Sequence, residues 1–249
     1  KGLARLKSLK LSSDRTSCTR GGPNPDWTRG AARVVSPHSW GCMHYRQNIE
    51  GCFAGGGVTE RDYKNVLSET EEGLGWLRGQ SKTGGLPLLE LPGRSDDLPN
   101  LEAIATQFRE RCTHVLVLGV GGSNLGGRAL VALVDQHEAD STVLFLDSID
   151  PDTIARLERA LDWGSAGLLV ISKSGMTLET LSQFITLAPK FIGAVGAREF
   201  SRRAIVITEP GKTPLRRLAA QFNLPVLDHD PGIAGRFSAL SLVGLLPAL

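Results

Sequence analysis

The stretch Ile-Ser-Lys-Ser-Gly-Met-Thr-Leu-Glu-Thr occupies residues 171–180 and joins an apolar run to a helix-like one. Residues 167–170 before it, Gly-Leu-Leu-Val, have the pattern of a buried strand. The chain from Leu178 onward has the pattern of a helix start. The turn between them collects the hydroxyls of Ser172, Ser174 and Thr177.

Two interpretations of this turn are open from its own residues. Hydroxyls and backbone N–H groups at the start of a helix stabilise a phosphate dianion, because the helix dipole is positive there. The same residue types are also ordinary helix caps, since their oxygens accept from otherwise unpaired N–H groups.

Short apolar runs alternate with amphipathic segments from residue 96 to residue 249. This alternation predicts an α/β fold, with a parallel five-stranded sheet that is covered by helices on both faces. Ligands bind such sheets beyond the carboxyl ends of the strands. The predicted strands are 114–119, 143–147, 167–172, 203–208 and 225–228. The predicted helices are 98–110, 127–134, 152–160, a helix from Leu178, and 213–222.

A second turn of interest, Gly119–Gly127, follows the first predicted strand. A dinucleotide fingerprint that started at Gly119 would need a glycine at the position of Asn124, so the fit is poor. Asp147, which ends the second strand, keeps a nicotinamide-binding alternative open. Gly122 and Ser123 are better suited to a compact anion nest. A tight turn that binds nothing is the remaining interpretation.

The segment 230–241 follows the fifth strand and contains Arg236 between Gly235 and Phe237. The guanidinium of an arginine is planar and always charged. Because apolar residues flank it, we expect this segment to be packed, and to bring Arg236 to the same edge of the sheet. An arginine on the open surface is the alternative.

The N-terminal part of the chain differs from the rest. Residues 1–44 have a formal charge of +6, whereas residues 45–249 have −4. They show no strand or helix period, so we expect an unassigned basic arm that is disordered or foreign to the fold. Residues 45–95 predict a helical arm ahead of the main domain, with Thr59 as the N-cap of one helix.

The four cysteines, Cys18, Cys42, Cys52 and Cys112, have no metal-ligand spacing, and we expect no metal and no cofactor. Cys112 is most simply a small buried apolar residue. The sequence has neither a membrane-length apolar run nor a signal peptide, which predicts a soluble, cytoplasmic protein without nucleic-acid or membrane partners.

Three stretches together resemble glucose-6-phosphate isomerases of the bacterial type: Gly119–Gly127, Ser172–Thr180, and Gly235–Ser238 with residues 241–245. Tyr45-Arg46-Gln47 and residues 207–210 are also similar to that family, so the resemblance covers residues 45–249. It implies a sugar isomerase domain, a flavodoxin- or Rossmann-like α/β/α sandwich over residues 96–249. It also implies interconversion of glucose 6-phosphate and fructose 6-phosphate through an enediolate, in glycolysis and gluconeogenesis.

The resemblance implies roles for particular residues. Arg236 would steady the enediolate, and the sugar phosphate would be held by Gly122, Ser123, Ser172, Lys173, Ser174 and Thr177. Ala234 stands where the family has a second glycine, and Gly232 where a polar residue is common. His229 matches a strand-end residue of the family, and we interpret it as structural, with an apolar or backbone contact.

The family also has a second sugar isomerase domain, with a glutamate base, a ring-opening histidine and a lysine, and the full-length enzyme is expected to be a homodimer. No residue of this chain matches those three, so we expect that domain to be absent and the chain alone to be inactive. A non-catalytic phosphosugar-binding module and a nucleotide-binding α/β domain are the two alternative functions.

Overall fold

The computed structural model describes residues 48–53, 57–133 and 142–249. The described residues divide into two compact units, one from Pro87 to Leu249 and the other containing the described residues up to Leu86. The expected basic arm at residues 1–44 lies outside the described residues.

The larger unit is built on a five-stranded parallel sheet, as the sequence predicts. The strands are β1 (His114–Leu118), β2 (Thr142–Leu146), β3 (Ala166–Ile171), β4 (Ala204–Thr208) and β5 (Val226–Asp228). Their order in the sheet is β2-β1-β3-β4-β5, so β1 and β3 are neighbours. All six residues of β3 are buried, which explains its unbroken apolar sequence.

Helices cover both faces of this sheet. Those of the larger unit are α4 (Leu98–Arg109), α5 (Gly122–Leu133), α6 (Pro151–Ala160), α7 (Leu178–Val195), α8 (Ala197–Arg203), α9 (Pro214–Gln221) and α10 (Leu242–Ala248). Val115 and Val117 join the core beneath α4, α5 and α10. Leu116 and Leu118 join the opposite core, beneath α6 to α9. The alternation follows from the two-residue period of a strand.

Three helices of the larger unit, α5, α8 and α10, differ from the prediction. Helix α5 begins at Gly122, five residues before the predicted start at Gly127, because the glycines that favour a turn here have helical backbone instead. Helix α10 was not predicted, since it has only seven residues and contains Gly244 and Pro247. It packs against α4 and α5 and buries Val243 and Leu245. Cys112 is buried, as predicted.

The smaller unit contains α1 (Glu50–Phe53), α2 (Glu60–Glu69) and α3 (Glu71–Thr83). The predicted cap is confirmed, because the hydroxyl of Thr59 accepts a hydrogen bond from the backbone N of Asp62 at 3.1 Å. The chain after Thr59 forms two helices that meet at Thr70. Residues 87–89 form a 3₁₀ turn at the start of the larger unit.

Candidate functional site

The two turns of interest lie side by side at the carboxyl edge of the sheet, since β1 and β3 are paired. Space at their junction is tight. A methyl group on Gly119 would lie 3.0 Å from the carbonyl oxygen of Ile171, the last residue of β3. The chain therefore leaves β1 directly against the start of the Ser-rich turn.

In the turn after β3, the hydroxyls face one another. Ser172 is only 1% exposed, and its Oγ lies 2.9 Å from Oγ1 of Thr177. Ser174 is exposed, and its Oγ accepts from the backbone N of Met176 at 3.2 Å. Gly175 has φ +60°, and a side chain there would meet Oγ1 of Thr208 at 2.8 Å. Glycine at this position is thus required both by the backbone and by the space.

Thr177 is the N-cap residue of α7, yet its hydroxyl does not cap the helix. Within the described part of the chain, that side chain makes no cap hydrogen bond. By contrast, side-chain oxygens of Thr59, Asp150 and Thr213 do cap α2, α6 and α9. The helix-cap interpretation of this turn therefore does not describe its geometry.

Backbone donors of the same turn also lack acceptors. Among the described residues, the amide N–H groups of Lys173, Ser174 and Thr177 have no hydrogen-bond acceptor. Unpaired N–H groups at the start of an 18-residue helix form a site of positive potential. The turn is therefore chemically suited to bind an anion.

The turn after β1 has a different construction. Gly121 has φ +56°, and α5 begins at Gly122. The side chain of Asn124 is fully buried, and its Nδ2 donates to the carbonyl oxygen of Gly119 at 3.2 Å. Asn124, which stands where the dinucleotide fingerprint needs a glycine, thus stabilises the turn through this side-chain hydrogen bond. Asp147, the acid of that alternative, forms an ion pair with Arg128 at 2.9 Å.

The segment that carries Arg236 packs on the first turn of α5. A methyl group on Gly122 would overlap with the carbonyl oxygen of Gly235 and lie 2.8 Å from the backbone N of Arg236. The guanidinium carbon of Arg236 lies 4.8 Å from the ring centroid of Phe237, and both side chains are exposed. The structure thus brings Gly122 and Arg236 together.

Lys173 links this segment to the other turn. Its Nζ donates to the carbonyl oxygens of Pro231 at 3.0 Å and Ile233 at 2.8 Å. It also pairs with Oε1 of Glu209 at 3.0 Å. Glu209 follows β4, and sequence reasoning missed it as a site residue. The sequence feature that could have indicated Glu209 is an acidic residue directly after a predicted buried strand.

His229 is buried, and its Nδ1 donates to the carbonyl oxygen of Asp230 at 2.9 Å, the backbone contact expected of it. Burial lowers the pKa of its imidazole, and the charge of Lys173 lowers it further. Among the described residues, Nε2 has no hydrogen-bond partner. The imidazole is therefore neutral at pH 7.

Gln183 in α7 is a second polar residue that sequence reasoning missed. It is fully buried, and its Nε2 donates to the carbonyl oxygens of Leu146 at 3.3 Å and Ser148 at 3.1 Å. It ties the helix that begins at the Ser-rich turn to the end of β2.

The described residues contain no cluster of three or more His, Cys, Asp or Glu that suits a metal ion. None of their helices has the length and apolar character that crossing a membrane requires.

The fold is an α/β/α sandwich domain, and three segments form a candidate ligand site at the carboxyl edge of its sheet. Comparison with known proteins then identifies the family. The family model of phosphoglucose isomerase matches residues 104–249, which is more than half of the chain, and the chain belongs to that family.

Individual relatives agree with this assignment. The glucose-6-phosphate isomerase of Carboxydothermus hydrogenoformans is 32% identical over 199 residues, which are 76% of this chain and 43% of the relative. The crystal structure of a hypothetical protein from Thermus thermophilus matches with a TM-score of 0.61 at 30% identity, over 76% of this chain and 46% of that one. A glucose-6-phosphate isomerase structure from Chlamydia trachomatis matches with a TM-score of 0.53 at 25% identity, over 64% of this chain and 29% of that one. The chain thus spans less than half the length of these relatives.

Proposed function

We propose that this chain is part of an aldose–ketose isomerase that interconverts glucose 6-phosphate and fructose 6-phosphate. The observation that carries the proposal is the turn after β3. Its hydroxyls at Ser172 and Thr177 face one another, and Thr177 does not cap the helix that it precedes. A helix start whose donors are not used within the protein is where a phosphate dianion binds.

The phosphate would be bound by both turns at the edge. Ser172, Ser174 and Thr177 supply hydroxyls, and the amides of the same turn supply backbone donors. In the neighbouring turn, Gly122 supplies its amide and Ser123 its hydroxyl, since the amide of Ser123 already donates to the carbonyl oxygen of Val120 at 3.2 Å. Lys173 belongs to the same set through its backbone N–H. Hydrogen bonds to a charged partner contribute about 1.5–3 kcal/mol each, so a few of them suffice for binding.

Arg236 would act on the reacting end of the sugar. Isomerisation transfers a proton between two adjacent carbons, and an enediolate carries negative charge between the two transfers. An arginine held against the first turn of α5 stabilises that charge as it develops. The proton itself needs a general base, to which we assign no residue of this chain. The complete enzyme is proposed to act as a cytoplasmic homodimer.

The direct test uses the purified 249-residue chain with glucose 6-phosphate, glucose and NAD in calorimetric titrations, together with a coupled isomerase assay. We expect binding of glucose 6-phosphate, much weaker binding of glucose and no turnover near the ~10 s⁻¹ of ordinary enzymes. Binding of NAD in preference to the phosphosugar would contradict the proposal and favour a nucleotide site.

A non-catalytic phosphosugar-binding domain remains the second candidate function, because we assign no general base to the proposed anion site. The two functions separate in one experiment. The chain is mixed with a polypeptide that covers the remaining length of a bacterial relative, and isomerase activity is measured. Activity that depends on Arg236 supports the enzyme, whereas binding without activity supports the module.

A further inference from the structure

We propose that the side chain of Lys173 is a positioning group: its ammonium holds the Arg236 segment, residues 230–238, against the turn after β3. The inference rests on the proposed function of this edge. It assigns to the lysine of the Ser-Lys-Ser sequence a role different from direct binding of the phosphate.

The first argument is the number of donors. A lysine ammonium has three N–H groups and no acceptor. Three oxygens lie at hydrogen-bonding distance from Nζ: those of Pro231, Ile233 and Glu209, at 3.0, 2.8 and 3.0 Å. The ammonium is therefore saturated by the protein, and its charge is balanced by a carboxylate. A phosphate would have to displace one of these partners to reach it.

The second argument is that Lys173 is anchored at both of its ends. Its carbonyl oxygen accepts from the backbone N of Glu209 at 2.9 Å and from Oγ1 of Thr208 at 3.2 Å. Thr208 is fully buried, so this end of Lys173 is fixed to the last residue of β4. The side chain then spans from a fixed point of the sheet to the loop after β5.

The third argument is burial. The side chains of Lys173 and Glu209 are 25% and 28% exposed. The pair between Lys190 and Glu158 is more open, at 3.6 Å with the lysine 55% exposed. Solvent strongly screens the attraction within an exposed ion pair, whereas a partly buried pair is screened less. Ile233, whose carbonyl accepts from Lys173, is itself 1% exposed.

The position of Arg236 follows from these contacts. Lys173 fixes the segment at Pro231 and Ile233, and Gly122 fixes it at Gly235, just before the arginine. Between these points the segment is closed by a hydrogen bond from the backbone N of Phe237 to the oxygen of Ala234, at 2.8 Å. Each of the two turns thus holds one part of the segment.

A test that needs no ligand is hydrogen exchange on the full chain. Lys173→Met keeps the length of the stem and removes the donors. We expect the amides of Ile233, Phe237 and Ser238 to exchange about tenfold faster in this variant, through local opening of the segment. Lys190→Met, which removes the more exposed pair, is the matched control and should leave these amides unchanged. Equal exchange in wild type and Lys173→Met would overturn the proposal.

Binding then separates positioning from direct contact with phosphate. The probes are inorganic phosphate and a phosphorylated sugar hydroxamate, whose planar anionic group resembles an enediolate. For Lys173→Met we expect roughly tenfold weaker hydroxamate binding, with inorganic phosphate within about twofold of wild type. Equal losses for both probes would make Lys173 a phosphate ligand and overturn the proposal.

The substitution Glu209→Gln should affect phosphate affinity differently, depending on whether Lys173 binds phosphate directly or positions the Arg236 segment. If the ammonium bound phosphate, removing the competing carboxylate would tighten binding of inorganic phosphate. In a positioning role the same change loosens the segment, so hydroxamate binding weakens and phosphate binding does not improve. Tighter phosphate binding would overturn the proposal. If wild type binds neither probe, the proposed function fails, and the exchange measurement still decides the role of Lys173.

Discussion

The turns after β1 and β3 occupy equivalent positions at the ends of neighbouring strands, but they are built from different chemistry. The first requires a glycine, because only a residue without a side chain at position 122 allows the backbone of Gly235 and Arg236 to approach. The second depends on side chains that are present, with Ser172 and Thr177 facing one another. The first is therefore constrained by volume, and the second by hydrogen-bond donors.

The largest expected effect comes from adding volume to the first turn. Gly122→Ala places a methyl group into the carbonyl of Gly235, and backbone on both sides leaves no flexible group to move. We expect a loss of about 3 kcal/mol in the free energy of unfolding, which urea titration measures. Glucose 6-phosphate binding should be lost as well, because the Arg236 segment is displaced. Unchanged stability would mean that the contact between α5 and that segment does not exist in solution.

The next effect comes from removing a donor in the second turn. Thr177→Val keeps the shape and removes the hydroxyl, so glucose 6-phosphate should bind roughly ten- to a hundredfold more weakly. Glucose without phosphate should be almost indifferent to the change. Calorimetric titration of both ligands makes the measurement.

Thr59→Val is the matched control for that substitution, because Thr59 is a true cap whose hydroxyl accepts from Asp62. It should cost about 1 kcal/mol of helix stability without any effect on phosphosugar affinity. Equal affinity of wild type and Thr177→Val would reduce the second turn to an ordinary strand-to-helix connection.

A smaller effect concerns His229, which lies beside the segment that both turns hold. Its pKa in the folded protein is below the ordinary value of about 6.5, chiefly because of burial. The unfolded chain therefore binds the proton more readily. The stability that the neutral imidazole contributes is present above about pH 6.5 and is lost as the pH falls below it. The charged groups around it are Lys173, Glu209 and Asp230.

Thermal melts between pH 7 and pH 5 test this for wild type and His229→Asn, whose amide preserves a donor toward the carbonyl of Asp230. We expect wild type to lose stability more steeply than the variant as the pH falls. Asp150 and Asp162 also have a lowered pKa, from side-chain hydrogen bonds to Thr153 and Ser165, and they titrate below this window. Parallel curves would show that His229 does not change its protonation on unfolding.

The smallest expected effect is that of Gly193→Ala, which tests whether the effect of Gly122→Ala comes from lack of space. Gly193 lies inside α7, where no atom is within 4 Å of an added methyl group. Gly193→Ala should therefore stabilise the protein by about 0.5–1 kcal/mol, from helix propensity alone. Urea titration would then show opposite signs for the same substitution at Gly122 and Gly193. Destabilisation at both positions would mean that glycine content, and not the contact at Gly122, determines the response.

Much of the fold could be predicted from local patterns. The apolar runs of β1 and β3, the alternation with helices and the cap at Thr59 are short-range features, so periodicity and residue type determine them. The start of α5 could not be placed, because glycines favour a turn unless tertiary packing imposes a helix. The short helix α10 depends in the same way on its packing against α4 and α5.

The sequence by itself determined the parallel α/β architecture and the placement of two hydroxyl- or glycine-rich turns at the carboxyl edge. Only the tertiary structure decided what the residues of those turns contact. The hydroxyl of Thr177 bonds to Ser172 instead of the helix, and the ammonium of Lys173 bonds to Ile233, 60 residues further along the chain. No local pattern contains such a contact, because it depends on which loops the strand order brings together.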